Sequence, residues 1–382
     1  MKKKRLLLIA DADSFWMMRL LKYLLLPQGY EVVLFPIWKY TGKYADFYRE
    51  NGVTVYQDKH TLPIVRHIPR ARMWARIWLN ARDLIRMGPF DVVQNCYLSQ
   101  RDLALGDILV RHFKAHWVAS FLGSDFMRSS PLALRRMKPC LDKCHAISVH
   151  NQLNADKIRE IYGESAAQKT HLVYFGQTGY DDIDRMRSLA TREECRKSLG
   201  IDPDNFVICA GYSASSAQQQ LELVRAVGQL PAERLKRISL VLQQTYCEDD
   251  PAYTQQTREE AAKLPCQTVV LTDFMGPEES ARLRLSADVF LLAIKTDAFS
   301  ASMQEYLYAG ACVLKAGWLG YPQLTDMGIT LREFSAFDEI PALLEETMDG
   351  TLTGLAEDQR ALFPKLYSWN TVRESWHKMY PR

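Results

Sequence analysis

The sequence predicts an α/β protein of two doubly wound domains with a ligand cleft between them, and three observations carry that expectation. Short apolar runs of strand length recur along the 382 residues, with helix-length amphipathic segments between them. The series breaks once, at about residues 170–185, and then restarts. A chain of this length also exceeds what one hydrophobic core sustains, so two domains are the default. The expected division is a first domain over 1–172, a second over 173–365 and a closing segment over 366–382.

The elements follow in order. Arg5 to Ala10 (RLLLIA) is nearly continuous in apolar residues, which suits a strand buried on both faces. Ser14 is placed to cap a helix through Leu26, which Pro27 and Gly29 stop. Glu31 to Pro36 is the next strand, Tyr44 to Asn51 a helix ended by Gly52, and Val53 to Tyr56 a strand. Further strands are expected at Asp91 to Asn95, Trp117 to Phe121, Ala146 to Val149 and His171 to Phe175. After a charged segment, Asp181 to Arg196, the second series runs through Phe206 to Ala210, Ile238 to Gln243, Thr268 to Leu271, Val289 to Leu292 and Ala311 to Lys315. Tyr367 to Tyr380 reads as an amphipathic helix started by Ser368 or Asn370.

Composition narrows the class. At 47% hydrophobic and 24% charged, with no repeat or low-complexity tract, the chain is an ordinary globular one, not a disordered or fibrous one. The longest apolar runs are far too short to span a membrane. The basic start, Met1 to Arg5, precedes an apolar stretch that ends at Asp11, too short for a signal peptide, so a cytoplasmic protein is expected. The eight cysteines agree with a reducing compartment. Cys140 and Cys144 lack a second pair to complete four zinc ligands, so no metal is expected. Net charge is only +3, yet residues 1–170 hold 27 Lys+Arg against 15 Asp+Glu while the remainder is acidic. That asymmetry points the first half toward an anionic surface or acceptor, and the small net charge does not call for a nucleic-acid partner.

The most informative stretch runs from Thr296 to Gly310 (TDAFSASMQEYLYAG), after an apolar strand and into a helix. Asp297 in the loop and Glu305 in the helix, eight positions apart, can each accept hydrogen bonds from a diol. The N–H groups of the first turn, Ala301 to Gln304, suit a diphosphate, with the helix dipole in support. The plainer alternative is an ordinary helix that Asp297 caps and on which Glu305 faces solvent.

This segment resembles the E-x7-E element of retaining GT-B glycosyltransferases, in particular glycosyltransferase family 4 of the bacterial envelope and capsular polysaccharide type. The resemblance implies two Rossmann-like domains, an acceptor-side domain first and a nucleotide-sugar domain second, with a terminal helix crossing back to the first. It implies that Asp297 holds the donor sugar hydroxyls and Glu305 the ribose hydroxyls, although an aspartate stands where the family usually has glutamate. Phe299, Ser300, Ala301 and Ser302 then line the donor, and Gly310-Ala311-Cys312-Val313-Leu314 matches the turn and strand that follow. Ser120 to Arg128 (SFLGSDFMR) resembles a first-domain turn of the same group, which brings Gly123, Ser124 and Asp125 into the site; Asp125 either caps the next helix or meets a sugar hydroxyl. Phe206 to Gln220 resembles the strand, turn and helix that open the nucleotide domain, with Gly211, Tyr212 and Ser213 at the turn. Phe274 or Met275 is expected beside the base, with a core role for Phe274 as the alternative.

Two departures stand out. Where relatives carry Arg and Lys for the donor diphosphate, the turn Gly211 to Gln218 has no cation, which leaves Lys295 and backbone amides to stabilise the leaving phosphate. Where relatives place a histidine after the strand at Asp91, this chain reads Gln94-Asn95-Cys96. The expected activity is metal-independent, retaining transfer of a sugar from a nucleotide-sugar to a glycan or lipid-linked acceptor in envelope polysaccharide synthesis, with Asp297, Lys295 and Asp125 as catalytic candidates and no cofactor. The alternatives are a nucleotide-sugar epimerase on the same fold and a non-catalytic partner subunit. Finally, Arg70 to Met87 combines a helical apolar stripe (Met73, Trp74, Ile77, Trp78, Ala81, Leu84, Ile85) with arginines. Arg70, Arg72, Trp74, Arg76 and Trp78 fit a peripheral contact with the inner face of an anionic membrane, the alternative being a stripe that packs on the sheet.

Overall fold

The computed structural model describes residues 3–60 and 69–381, with the side chains of Pro69 and Arg70 outside that description. The chain forms two compact units, Met1–Gly176 together with Trp369–Arg382, and Gln177–Ser368.

The first unit carries strands β1 (Arg5–Ala10), β2 (Glu31–Pro36), β3 (Thr54–Val55), β4 (Val92–Cys96), β5 (His116–Ser120), β6 (Ala146–Val149) and β7 (Thr170–Leu172) in the order β3-β2-β1-β4-β5-β6-β7. The pairings are parallel, for example Leu7 opposite Val33 on one side and Val93 on the other. Alternation along β1 divides the core. Leu7 and Ile9 enter one cluster with Trp117, Phe121 and Leu84, and Leu6, Leu8 and Ala10 enter the other. The closing helix Trp369–His377 belongs to this second cluster, with Trp369, Val372 and Trp376 buried in it. Trp376 is fully buried and its indole N–H donates to the Tyr174 carbonyl at 2.7 Å, which pairs the one polar group that burial would strand.

The second unit holds β8 (Phe206–Ala210), β9 (Ile238–Gln243), β10 (Gln267–Leu271), β11 (Val289–Leu292), β12 (Cys312–Ala316) and β13 (Arg332–Phe334), ordered β10-β9-β8-β11-β12-β13. In each sheet the strand order reverses beside the first strand of its series, between β1 and β4 and between β8 and β11. Ligands bind doubly wound sheets at such points.

Some expectations need correction. Ser14 makes no side-chain cap, and the helix after it, Phe15–Leu20, continues into a π-helical turn at Leu21–Leu25. Strand β13 was not anticipated, because Arg332 and Glu333 are exposed edge residues with no apolar run. The acidic run at Glu248 to Asp250, which carries no apolar or helical pattern, ties loops together: Asp249 accepts from Ser216 N at 2.7 Å and Asp250 caps the helix Pro251–Ala261. In the helix Pro69–Met87, Ile77, Ala81 and Leu84 are buried while Trp74 and Trp78 are 51% and 61% exposed. The apolar stripe therefore divides between a packed face and an exposed one.

Candidate functional site

The loop after β11 and the helix Ala301–Ala309 place the two acids. Ser300, not Asp297, is the N-cap, with its Oγ accepting from Met303 N at 3.2 Å. Gln304 N bonds Ser300 O, so the amides of the first turn without an acceptor among the described residues are those of Ala301 and Ser302. The edge that could meet an anion is thus narrower than the four amides counted from sequence. Gly310, at φ 103°, ends the helix in the left-handed region that a residue with a Cβ rarely adopts.

Asp297 sits in this loop with one oxygen accepting from Ala298 N at 2.7 Å and the other from the Tyr321 hydroxyl at 3.2 Å. Burial pushes its carboxyl above the ordinary range, against the opposing pull of these hydrogen bonds. Phe299 packs edge-on to Tyr321, with centroids 5.6 Å apart, and against Tyr367 at 5.2 Å. Lys295 is exposed, and its backbone N–H donates to Ala217 O.

Glu305 is not a surface residue. Its side chain is 16% exposed and meets Arg284, whose Nε donates to Oε2 at 3.2 Å. Arg284 lies on the helix Pro277–Ser286 and is itself buried, with its other N–H groups donating to Ser302 Oγ at 3.3 Å, Tyr306 OH at 3.1 Å and Gln243 Oε1 at 3.3 Å. The guanidinium also lies 4.3 Å from the Tyr306 ring centroid. Tyr306 and Glu305 hold Arg284 charged despite its burial. Gly179 faces the same carboxylate so closely that an added Cβ would collide with Glu305. The neighbouring Tyr180 OH donates to Gln304 Oε1 at 2.9 Å.

The turn after β8 lacks cations, as expected, and is built from glutamines. Gly211 has φ 66° and its N–H bonds Leu291 O on β11. Gln218 accepts from Tyr212 N, and Gln220 donates to Ala210 O at 2.8 Å and Gln243 O at 3.2 Å. Burial raises the Tyr212 phenol, with the Asp297 charge adding to the shift, and Ser213 is buried. Asp297, the first-turn amides, Glu305 and the Gly211 turn are therefore brought together at the carboxyl ends of β8 and β11. In the same unit Phe274 is 66% exposed on the loop after β10, which excludes the core role, and Met275 beside it is half-buried.

In the first unit Asp125 is buried and saturated. One oxygen accepts from Leu122 N and Gly123 N, each at 2.9 Å, and the other from Leu98 N at 2.7 Å. It joins the loops after β4 and β5 and does not cap the short helix Ser124–Met127, whose N-cap is Gly123 at φ 115°. Burial raises its carboxyl to about 6 despite these donors. Ser124 Oγ donates to Tyr97 OH at 3.3 Å. Gln94, Asn95 and Cys96, at the expected histidine position, are all buried: Gln94 bonds Ser120 and Tyr380, and Asn95 bonds Trp117 and Asp102.

Sequence reasoning missed Arg284, Gly179, Tyr321 and Tyr97. Arg284 had a readable signal, a charge among the residues of its helix that turn inward, Ala281, Leu283 and Ser286. The other three come together with their partners only through tertiary structure.

No protein-family model matches the chain, and no curated protein matches it in sequence. Among solved structures, a glycosyltransferase from Rickettsia africae is similar with a TM-score of 0.77 and 13% identity over 99% of this chain and 98% of that one. HepE of Anabaena, solved with UDP and glucose, is similar with a TM-score of 0.72 and 15% identity over 98% of both chains. A UDP-N-acetylglucosamine 2-epimerase is similar at 0.58 and 12% identity over 99% of this chain and 95% of that one. These likenesses show the GT-B fold. None of the helices described is long and apolar enough to cross a membrane.

Proposed function

We propose that this protein is a glycosyltransferase that moves a sugar from a nucleotide-sugar donor to an acceptor. The observation that carries the reading is the Asp297–Glu305 pair, with Glu305 oriented by the buried Arg284 and with the Ala301 and Ser302 N–H groups, which have no acceptor among the described residues, between the two acids in sequence. In this reading Glu305 accepts from the ribose diol, the two amides hold the diphosphate and Asp297 accepts from the sugar hydroxyls. The bond from the anomeric carbon to the phosphate oxygen breaks, the nucleoside diphosphate leaves, and the acceptor oxygen bonds that carbon and gives up its proton. Charge developing on the leaving phosphate meets preorganised amides. Retention of configuration follows from the resemblance of this element to retaining enzymes. The proposed route is metal-independent, with the amides of Ala301 and Ser302 meeting the charge that develops on the diphosphate.

The acceptor is assigned to the first unit, as a glycan or lipid-linked glycan of envelope polysaccharide synthesis. Its support is the basic first half and the exposed face of the helix Pro69–Met87. Trp74, Trp78, Arg72 and Arg76 are exposed there, Arg82 lies 5.8 Å from the Trp78 ring, and Arg76 pairs with Asp58 at 2.6 Å. Trp74 and Trp78, with Arg82 beside them, suit an anionic bilayer interface, while Arg72 and Arg76 add positive charge on the opposite flank of the helix. The side chain of Arg70, expected on the same face, lies outside the described residues.

A thermal-shift screen over nucleotides and nucleotide-sugars tests the donor site. Stabilisation by one nucleoside diphosphate and its sugar conjugate is expected; no stabilisation by any of them would remove the reading. The epimerase alternative shares the fold, and accumulation of an epimeric nucleotide-sugar without transfer would establish it.

A further inference from the structure

The carboxyl edge of the first sheet holds cations that the donor site of the second unit does not use. A cavity of about 380 Å³ opens beside the loops that follow β4 and β5, lined among others by Tyr97, Ser124, Asp125, Ser129, Arg128 and Arg136. Neither Arg128 nor Arg136 has a side-chain partner among the described residues. Several other arginines of this unit are paired, among them Arg76 with Asp58, Arg101 with Asp102 and Arg111 with Asp107, although Arg72 and Arg135 are not, among the described residues. Asp125, the acid in the cavity wall, forms no ion pair with either of them among the described residues, and its oxygens accept from backbone N–H groups instead.

Tyr97 adds an independent observation. It is a non-glycine residue at φ 63°, a conformation that costs energy and recurs at ligand clamps. The backbone is held there by Tyr97 N donating to Ser120 O at 3.2 Å, and the ring by an edge contact with Trp38 at 4.9 Å. The phenol oxygen accepts from Ser124 Oγ, which leaves its own proton to donate. Two guanidiniums without an ion-pair partner among the described residues and a phenol O–H in one concavity form a donor set for an anion with several oxygens.

We propose that this cavity is an anion site that takes a phosphate or diphosphate group, with Arg128 and Arg136 as its charged donors and the Tyr97 hydroxyl as a third. Guanidinium forks match phosphate geometry. The assignment of that group to a substrate rests on the transferase reading, and it has two sources: the diphosphate of the donor, or a phosphate carried by the acceptor. The second source makes the acceptor a phosphorylated glycan or glycolipid.

The test is an NMR titration of the full chain with inorganic pyrophosphate at constant ionic strength, read at the amides of Tyr97, Gly123 and Ser124 and the Arg128 and Arg136 side-chain N–H groups. Saturable shifts are expected, weakened about tenfold or more in Arg128→Gln plus Arg136→Gln and partly recovered with lysine at both positions. Arg135→Gln, next to Arg136 but outside the cavity lining, should leave the titration unchanged. A UDP titration separates the sources. If UDP moves the same signals and Glu305→Gln abolishes that, the group is the donor's; if pyrophosphate acts alone and persists in Glu305→Gln, it is the acceptor's. Absence of saturable shifts, equal shifts with chloride, or a double-glutamine variant that titrates like the wild type would each overturn the site. Failure of the transferase reading would look different, as an intact anion site in a protein that turns over no nucleotide-sugar.

Discussion

Arg284 and Glu305 form a partly buried pair in which each residue constrains the other. Desolvating a charge is costly unless it is paired and hydrogen-bonded, and Arg284 meets that condition with four acceptor contacts. Glu305 is thereby held in one orientation before any ligand arrives. Glu305→Gln should weaken nucleoside diphosphate binding by about 1.5–3 kcal/mol, the worth of a charge-assisted hydrogen bond, as measured by calorimetry on a variant whose circular dichroism is unchanged. Gly179→Ala should weaken binding without altering either charge, because its Cβ displaces the Glu305 carboxylate; full affinity in that variant would show that the observed orientation is not the one used. Asp297→Asn should impair turnover of the sugar conjugate while leaving nucleoside diphosphate affinity within about twofold, since its proposed partner is the sugar.

At the scale of elements, the strand-loop-helix unit around Thr296 to Gly310 was legible because each of its signals is local. Apolar run, loop acid, helix pattern and terminal glycine lie within about five turns of chain. The site's supporting side chains were not legible in the same way. Arg284 comes from the preceding helix and Gly179 from far upstream, and only packing brings them to Glu305. Asp125 shows the opposite case. Its motif is visible in the sequence, but its part as a brace between two loops is not. Asp125→Ala should cost about 1–3 kcal/mol at neutral pH by stranding buried N–H donors. The sign of its pH dependence follows from its folded-state pKa of about 6, above the ordinary 3.8. Between those values the folded chain retains a proton that the unfolded chain has lost, so the stability gained from this group is full at low pH and is lost as pH rises through about 6. Chemical denaturation from about pH 4 to about pH 7 should therefore show the gap between wild type and Asp125→Asn narrowing as pH rises.

The molecule as a whole pairs a basic first half with an acidic remainder, and its two sheets each present a carboxyl edge with polar residues waiting on it. The exposed Trp74 and Trp78 are the feature that fold stability explains least, since Ile77, Ala81 and Leu84 already anchor that helix. Liposome co-sedimentation should show binding that requires anionic lipid, falls with salt, and drops several-fold in Arg72→Glu plus Arg76→Glu; binding indifferent to lipid charge would refute the electrostatic contact. Everything else depends on whether the chain acts on a nucleotide-sugar at all. The most direct measurement is to incubate the purified protein with the nucleotide-sugar that stabilises it and follow release of the nucleoside diphosphate, with and without glycan and lipid-linked acceptors. Release that is stimulated by an acceptor, accompanied by a glycosylated product and lost by at least about tenfold in both Asp297→Asn and Glu305→Gln is the predicted result. Release that persists unchanged in both variants, or no release with bound donor and every acceptor class, would contradict the account.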